Sequence, residues 1–212
     1  MPTPKYGYTM DGEKIPSVTT ILSRFKESGG LIHWAWSVGF KGEDYRDARR
    51  TAMNVGTCAH KMVECFIRNV QFDESAYPLS VLASANQAFT AFRRWSDQSS
   101  LKPAGAEVSL ISRRYRYGGM LDAITLGDNL HLLDWKNSTG IYGEYLLQLA
   151  AYGQLWNENN PDRPVRGYDI VQFSKETGDF SHRSFVSLKD ELTEFLLLRK
   201  AYELDLRLKE RI

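Results

Sequence analysis

Two cysteines in 212 residues, Cys58 and Cys65, are too few for a disulfide framework. Seven apart in one helical stretch, they do not have a metal-ligand spacing either, and they fit a reducing compartment. No run is apolar and long enough to span a membrane, and no signal peptide is visible at Met1. The expected location is the cytoplasm or an equivalent reducing space. A glycine-rich phosphate loop of either standard type is missing, as are internal repeats and low-complexity tracts. Neither sign of charge dominates: 27 Lys and Arg stand against 26 Asp and Glu, a net charge of +1. That excludes a global pull on nucleic acid, so any such pull comes from local patches. What the chain does have is a 42% hydrophobic content, enough to bury a core. Its length allows one domain, or one domain with a small appendage.

The chain is organised around residues 119–152. Their first half alternates and is rich in Leu, Ile and Thr, which predicts two short strands, with turn chemistry at Gly127-Asp128-Asn129 making them a hairpin. On the first strand Met120, Asp122 and Ile124 share a face. On the second, Leu132, Asp134 and Lys136 point one way and His131, Leu133 and Trp135 the other. Pairing across Gly127 brings Asp122 near Asp134. Two half-buried carboxylates repel unless a cation joins them, and hard oxygen donors suit Mg²⁺ or Mn²⁺. A lysine beside such an ion can orient water and offset charge building on a phosphate. The plain alternative is an Asp134–Lys136 surface ion pair on an edge strand, worth ~0–1 kcal/mol.

Along the rest of the chain, residues 1–16 read as an extended lead-in with a small hairpin around Asp11-Gly12. Ser17 or Thr19 caps a helix over 20–25, ended by Glu27 to Gly30. Trp34 and Trp36 either anchor this N-terminal arm, residues 1–40, on the core or offer a stacking surface to unpaired bases. Residues 41–70 form a long helical region, broken near Asn54-Val55-Gly56, whose Arg46, Arg49 and Arg50 make a basic face. His60 and Glu64, four apart, share a helix face. They form either a surface pair or a metal ligand with an orienting acid behind it. A helix over 78–100 buries Leu82, Ala85, Phe89 and Phe92. A strand follows at Glu107 to Ile111, then the basic cluster Arg113, Arg114 and Arg116, suited to phosphate contact. After the hairpin come the polar loop Asn137 to Gly140, whose Ser138 is a candidate DNA contact, and a helix over 143–159. Two strands, 166–173 and 180–188 with a turn at Thr177-Gly178, precede a C-terminal helix from Lys189. This order predicts an α/β domain with a small mixed sheet flanked by helices.

Four short motifs in order, Gly56-x-x-x-His60-x-x-x-Glu64, Gly119-x-x-Asp122, Asp134-x-Lys136 and Gln148-x-x-x-Tyr152, resemble the PD-(D/E)XK nuclease superfamily, in particular its RecB-like exonuclease clade. Pro16 to Leu22 is similar to the openings of small phage and mitochondrial-type members. The resemblance implies a restriction-endonuclease-like core in a single nuclease domain over 1–212. It implies one or two Mg²⁺ or Mn²⁺ ions held by His60, Asp122, Asp134 and the Trp135 carbonyl, with Glu64 orienting His60. Lys136 would position the attacking water, Glu107 would supply a supporting acid, and Gln148 and Tyr152 would support the site or touch DNA. Relatives with an iron–sulfur cluster use four cysteines, and this chain's two exclude that set. The expected activity is metal-dependent DNA exonuclease without base specificity, on single strands or duplex ends, in repair or recombination. A phage-infected cell or a mitochondrial matrix would be a fitting compartment, and a single-strand-binding or recombination protein a fitting partner. The alternatives are a non-catalytic nucleic-acid-binding domain of this fold and a structure-specific endonuclease.

Overall fold

The structure, a computed structural model, describes residues 7–26, 29–125, 129–174 and 178–212. The lead-in before Gly7, the stop at Glu27-Ser28, the turn at Gly127-Asp128 and Thr177 lie outside the described residues. Asp11 and Gly12 both take positive φ, 53° and 82°, and join strands β1 (Tyr8–Met10) and β2 (Glu13–Ile15) as the expected tight hairpin. Ser17 caps helix α1 (Val18–Phe25) by accepting the Thr20 N–H at 3.0 Å. Helix α2 (Gly29–Phe40) then leads to α3 (Tyr45–Ile67), capped by Asp44. The expected break at Asn54 to Gly56 does not occur. A helical glycine costs only ~1 kcal/mol, and burial of Cys58, Ala59, Met62 and Val63 on α3 outweighs that.

Helix α4 (Leu79–Gln98) precedes β3 (Pro103–Ser112), which is longer than the alternation at 107–111 predicts. Strands β4 (Tyr117–Thr125) and β5 (His131–Asn137) follow, then α5 (Gly143–Asn159), β6 (Gly167–Phe173), β7 (Phe180–Phe185) and α6 (Lys189–Lys209). The main sheet runs β3-β4-β5-β6-β7; β5 and β6 are parallel across the α5 crossover and the other pairs antiparallel. The fold is thus the expected mixed α/β layer structure. Among the described residues no helix is long and apolar enough to cross a membrane.

Strand β5 is central and covered on both faces, which is why its apolar residues do not alternate with polar ones. Leu132 joins Ile170, Leu149, Leu155 and Phe195 on the side of α1, α5 and α6. Leu133 and Trp135 join Phe92, Trp95, Val171 and Phe173 on the side of α3 and α4. The N-terminal hairpin docks on β4, where Gly118 donates its N–H to the Pro16 carbonyl at 3.0 Å. A Cβ at Gly118 would fall 2.2 Å from the Tyr8 ring, so only glycine admits that contact.

On the β5–β7 side of the sheet, wholly buried Asp169 accepts from His131 Nδ1 at 2.6 Å, His182 Nε2 at 2.8 Å and the Ser184 hydroxyl. Trp95 Nε1 donates to His182 Nδ1, which leaves the His182 hydrogen on Nε2, facing Asp169. Burial alone raises the Asp169 carboxyl, but these hydrogen bonds outweigh it and hold the group below the usual carboxylate range. A carboxyl lowered by folding contributes stability that is complete above its unfolded pKa, near pH ~4, and is lost as pH falls through the folded value. Asp169→Asn is therefore expected to lower stability by ~1–3 kcal/mol at neutral pH, because one amide N–H then faces a donor. It also flattens the acid limb of the unfolding curve, which urea titrations from pH 3 to 7 measure.

Candidate active site

Strand register collects the acids. Strands β3 and β4 pair Ala106 with Ala123 and Val108 with Leu121, so Glu107 stands opposite Asp122 without a ladder pair between them. The β4–β5 ladder pairs Ile124 with Leu132 and Ala123 with Leu133, and ends there, with Asp122 and Asp134 as the next positions. Glu107, Asp122 and Asp134 thus occupy one row across three strands, where the sheet opens. Asp122 Oδ2 accepts the Trp135 N–H at 2.8 Å, taking the place of a strand carbonyl. Glu107 has φ of 54°, a left-handed conformation that is strained for a side chain with a Cβ. Strict alternation along β4 fails at this point: Leu121 and Ile124 both pack on the α5 side, while Ala123 packs on the α3–α4 side.

Helix α3 brings His60 over the row, with Nδ1 3.5 Å from Asp122 Oδ1. From β5, Lys136 Nζ lies 2.7 Å from Asp134 Oδ2 and donates to Gln148 Oε1 at 3.0 Å. Gln148 Nε2 in turn donates to the Tyr152 hydroxyl at 2.8 Å. The Asp134–Lys136 pair is therefore buried on a central strand, not a surface pair on an edge. Gln148 and Tyr152 share a face of α5 because they are four apart. Gly119 leaves room for Tyr152: a Cβ there would fall 2.6 Å from the ring. A cleft of about 660 Å³ opens over Glu107 and Asp122, lined among others by Gly56, His60, Lys61 and Tyr152, with Asp134 buried beneath.

Burial pushes the Asp134 carboxyl up to about 6, against the Lys136 ammonium that favours its ionised form. Burial also raises Asp122, but the His60 imidazole outweighs it and the carboxyl lies below the usual range. His60 shows the reverse balance: burial lowers it, the Asp122 carboxylate outweighs burial, and the imidazole is raised. Burial lowers Lys136, yet Asp134 and Asp122 together hold its ammonium above the ordinary lysine value. The Tyr152 phenol is raised well above its usual value by burial and by the two nearby aspartates.

The donor set fits a hard divalent cation in its chemistry. Asp134 Oδ1 is buried with no hydrogen-bond partner among the described residues, while Oδ2 lies against the Lys136 ammonium, and carboxylate oxygens with one imidazole suit Mg²⁺ or Mn²⁺. Among the described residues, however, no three His, Cys, Asp or Glu side chains converge closely enough to hold a metal as they stand. Asp134 leans on Lys136 instead.

The other predicted residues are distributed as follows. Glu64 is buried and engaged by Lys61 at 2.6 Å and Arg68 at 3.2 Å, and Arg68 also donates to the Ala106 carbonyl beside Glu107. The Trp135 side chain is locked among Phe92, Trp95 and Phe173. Ser138 donates to the Gly140 carbonyl at 2.7 Å. Arg113 and Arg114 wrap the Glu158 carboxylate with their backbone N–H groups, and Arg116 pairs with Glu13. Glu158 is ten residues beyond Gln148 on α5, ~15 Å along the helix. Arg50 pairs with Asp47 on α3. Trp34 turns inward, edge-on to Tyr45, while Trp36 is exposed. Tyr145 is a site residue that motif reading missed: Lys136 Nζ sits 4.8 Å from its ring centre. Its position three residues before Gln148 on the same helix face was the available signal.

No protein-family model and no curated protein matches the chain. Among solved structures it is similar to a protein from Eubacterium rectale provisionally named an exonuclease, with 16% identity, a TM-score of 0.50, and coverage of 76% of this chain and 68% of that one. It is also similar to the alkaline exonuclease LHK-Exo from Laribacter hongkongensis, with 11% identity, a TM-score of 0.42 and 92% of each chain covered. The same enzyme in complex with dAMP gives 11% identity, a TM-score of 0.42 and 93% coverage of each chain. The mixed five-stranded sheet flanked by helices is a fold that this chain shares with the E. rectale protein.

Proposed function

We propose that the protein is a divalent-metal-dependent DNA exonuclease of the PD-(D/E)XK type, hydrolysing phosphodiester bonds without base specificity. The observation that carries this reading is the row Glu107, Asp122 and Asp134 at the opening of the sheet, with Lys136 and His60 beside it. Asp122, Asp134, His60 and the Trp135 carbonyl would hold Mg²⁺ or Mn²⁺. Such an ion supplies Lewis-acid polarisation of the phosphate and a bound water of lowered pKa. Lys136 offers an ammonium to orient the attacking water and to offset charge developing on phosphate oxygens. Gln148, itself fixed by Tyr152, keeps that ammonium from swinging away. Glu107 supports the row from β3. The likeness in fold to a protein provisionally named an exonuclease agrees with this reading.

A second reading, a DNA-binding domain of this fold without chemistry, is favoured by one observation: among the described residues no three donors are already closed on a metal position. Two measurements separate them. End-labelled DNA is expected to shorten with Mg²⁺ or Mn²⁺ and to stay whole in EDTA. Calorimetry is expected to show Mn²⁺ uptake that Asp134→Asn removes. An absence of both cutting and uptake rejects the nuclease and leaves the binding domain.

A further inference from the structure

Helix α2 carries aromatic rings that are exposed among the described residues. His33 and Trp36 stack with ring centres 5.8 Å apart at 26°, and Trp36 and Phe40 at 5.5 Å and 24°. Trp36 is 63% exposed and Phe40 81%. The three rings form one near-parallel row, while the inward side of the helix uses buried Val38 and half-buried Trp34. Helix α2 packs against α3. On α3, Tyr45, Arg46, Arg49 and Met53 border a shallow surface groove. Arg46 and Arg49 make no ion pair among the described residues, unlike Arg50. Arg49 precedes His60 by eleven residues, so it lies ~16 Å up the helix and within ~20° of the same line. Met53 and Gly56 fall between them on that face. The groove and the cleft that His60 lines therefore lie along one face of α3, with Met53 and Gly56 in the interval.

We propose that α2 and this face of α3 form a track for a single strand of DNA, with unpaired bases extending the stacked row His33, Trp36 and Phe40 at its open ends and phosphates led by Arg46 and Arg49 to His60. This rests on the nuclease reading for its direction and deepens it by naming the substrate as a single strand. Each base has a π-face that a ring row takes without sequence preference, whereas a duplex keeps its base faces covered. A second copy of the chain is a poorer occupant. A self-complementary contact here would bring the two Arg46 and Arg49 pairs together.

The test is anisotropy of labelled dT oligonucleotides and of a blunt duplex, in EDTA so that nothing is cut, with the 212-residue chain. The wild type is expected to hold the single strand more tightly than the duplex. Trp36→Ala with Phe40→Ala is expected to weaken it by roughly tenfold or more, while Trp36→Phe retains most of the affinity. Arg49→Ala is expected to lower the salt slope of log K by about one unit. Unchanged melting temperatures show that these exposed sites have not unfolded the chain. Equal affinity for single strand and duplex, or a double variant that binds as the wild type does, overturns the track. A double variant that changes only the oligomeric mass assigns the ring row to a second copy and also overturns it. A wild type that binds the strand through these rings but never cuts it with Mg²⁺ rejects the nuclease and leaves the track standing.

Discussion

Replacing Lys136 by alanine is expected to lower DNA cleavage by roughly 10²–10³-fold, the usual loss when one preorganised donor to a developing charge is removed. Lys136 is the cation that the structure ties into the acidic row, 2.7 Å from Asp134 and 3.0 Å from the Gln148 carbonyl oxygen. The variant also leaves Asp134 buried without its ammonium. Breaking a buried pair from one side costs ~3–5 kcal/mol, while a domain of this size is stable by ~5–15 kcal/mol. The fold should therefore survive at lower melting temperature, and Asp134, already pushed up to about 6 by burial, relieves the strain by taking a proton. Asp134→Asn is expected to lose cleavage to the same extent, because it removes an anionic oxygen donor and frees Lys136. Pairing thermal melts with a labelled-oligonucleotide gel separates the two effects. Undiminished cutting by either folded variant removes the enzyme assignment.

Gly119→Ala is expected to reduce cleavage by roughly 10²-fold without touching a polar group, the effect of a small misplacement of a catalytic group. Its Cβ would fall 2.6 Å from the Tyr152 ring and 2.9 Å from Leu155, both on α5. The ring must give way, and the Tyr152 hydroxyl carries Gln148, which carries Lys136. Overpacking of this kind costs ~1–3 kcal/mol of stability. Gly167→Ala supplies the comparison: its Cβ would fall 2.3 Å from the His131 ring, and His131 lies five residues from Lys136 along β5, ~16 Å away. The two variants should lose similar stability, and only Gly119→Ala should lose activity beyond the folded fraction. Equal activity in both places the Tyr152–Gln148 chain outside the chemistry.

Local signals carried much of this architecture. The Asp11-Gly12 turn, a cap at Ser17 or Thr19, α5 over 143–159 and the succession of helices and strands along the chain were legible because each depends on neighbours in sequence. So did the opposite facing of Leu132 and Leu133 on β5. Errors arose where distant residues outweighed a local rule. Helix α3 runs through Gly56 because its next turns are buried against α4. Strand β3 extends back to Pro103 because β4 offers it a partner. Alternation fails at Asp122 because its carboxylate, turned toward β5, takes the Trp135 N–H. Trp34 and Trp36 looked equivalent until α3 presented Tyr45 to one of them.

Residue types and spacings determined which groups could serve a metal and a phosphate: the acids, the imidazole and the ammonium, each on its own helix or strand. Only tertiary structure decided that Glu107, Asp122 and Asp134 fall in one row. Register between strands is set by the burial of Ala106, Ala123 and Leu133 and by the pleat, not by the acids themselves. It also decided that Lys136 answers to Gln148 and Tyr145 from α5, because a helix crossing over the sheet brings together side chains that no sequence period relates.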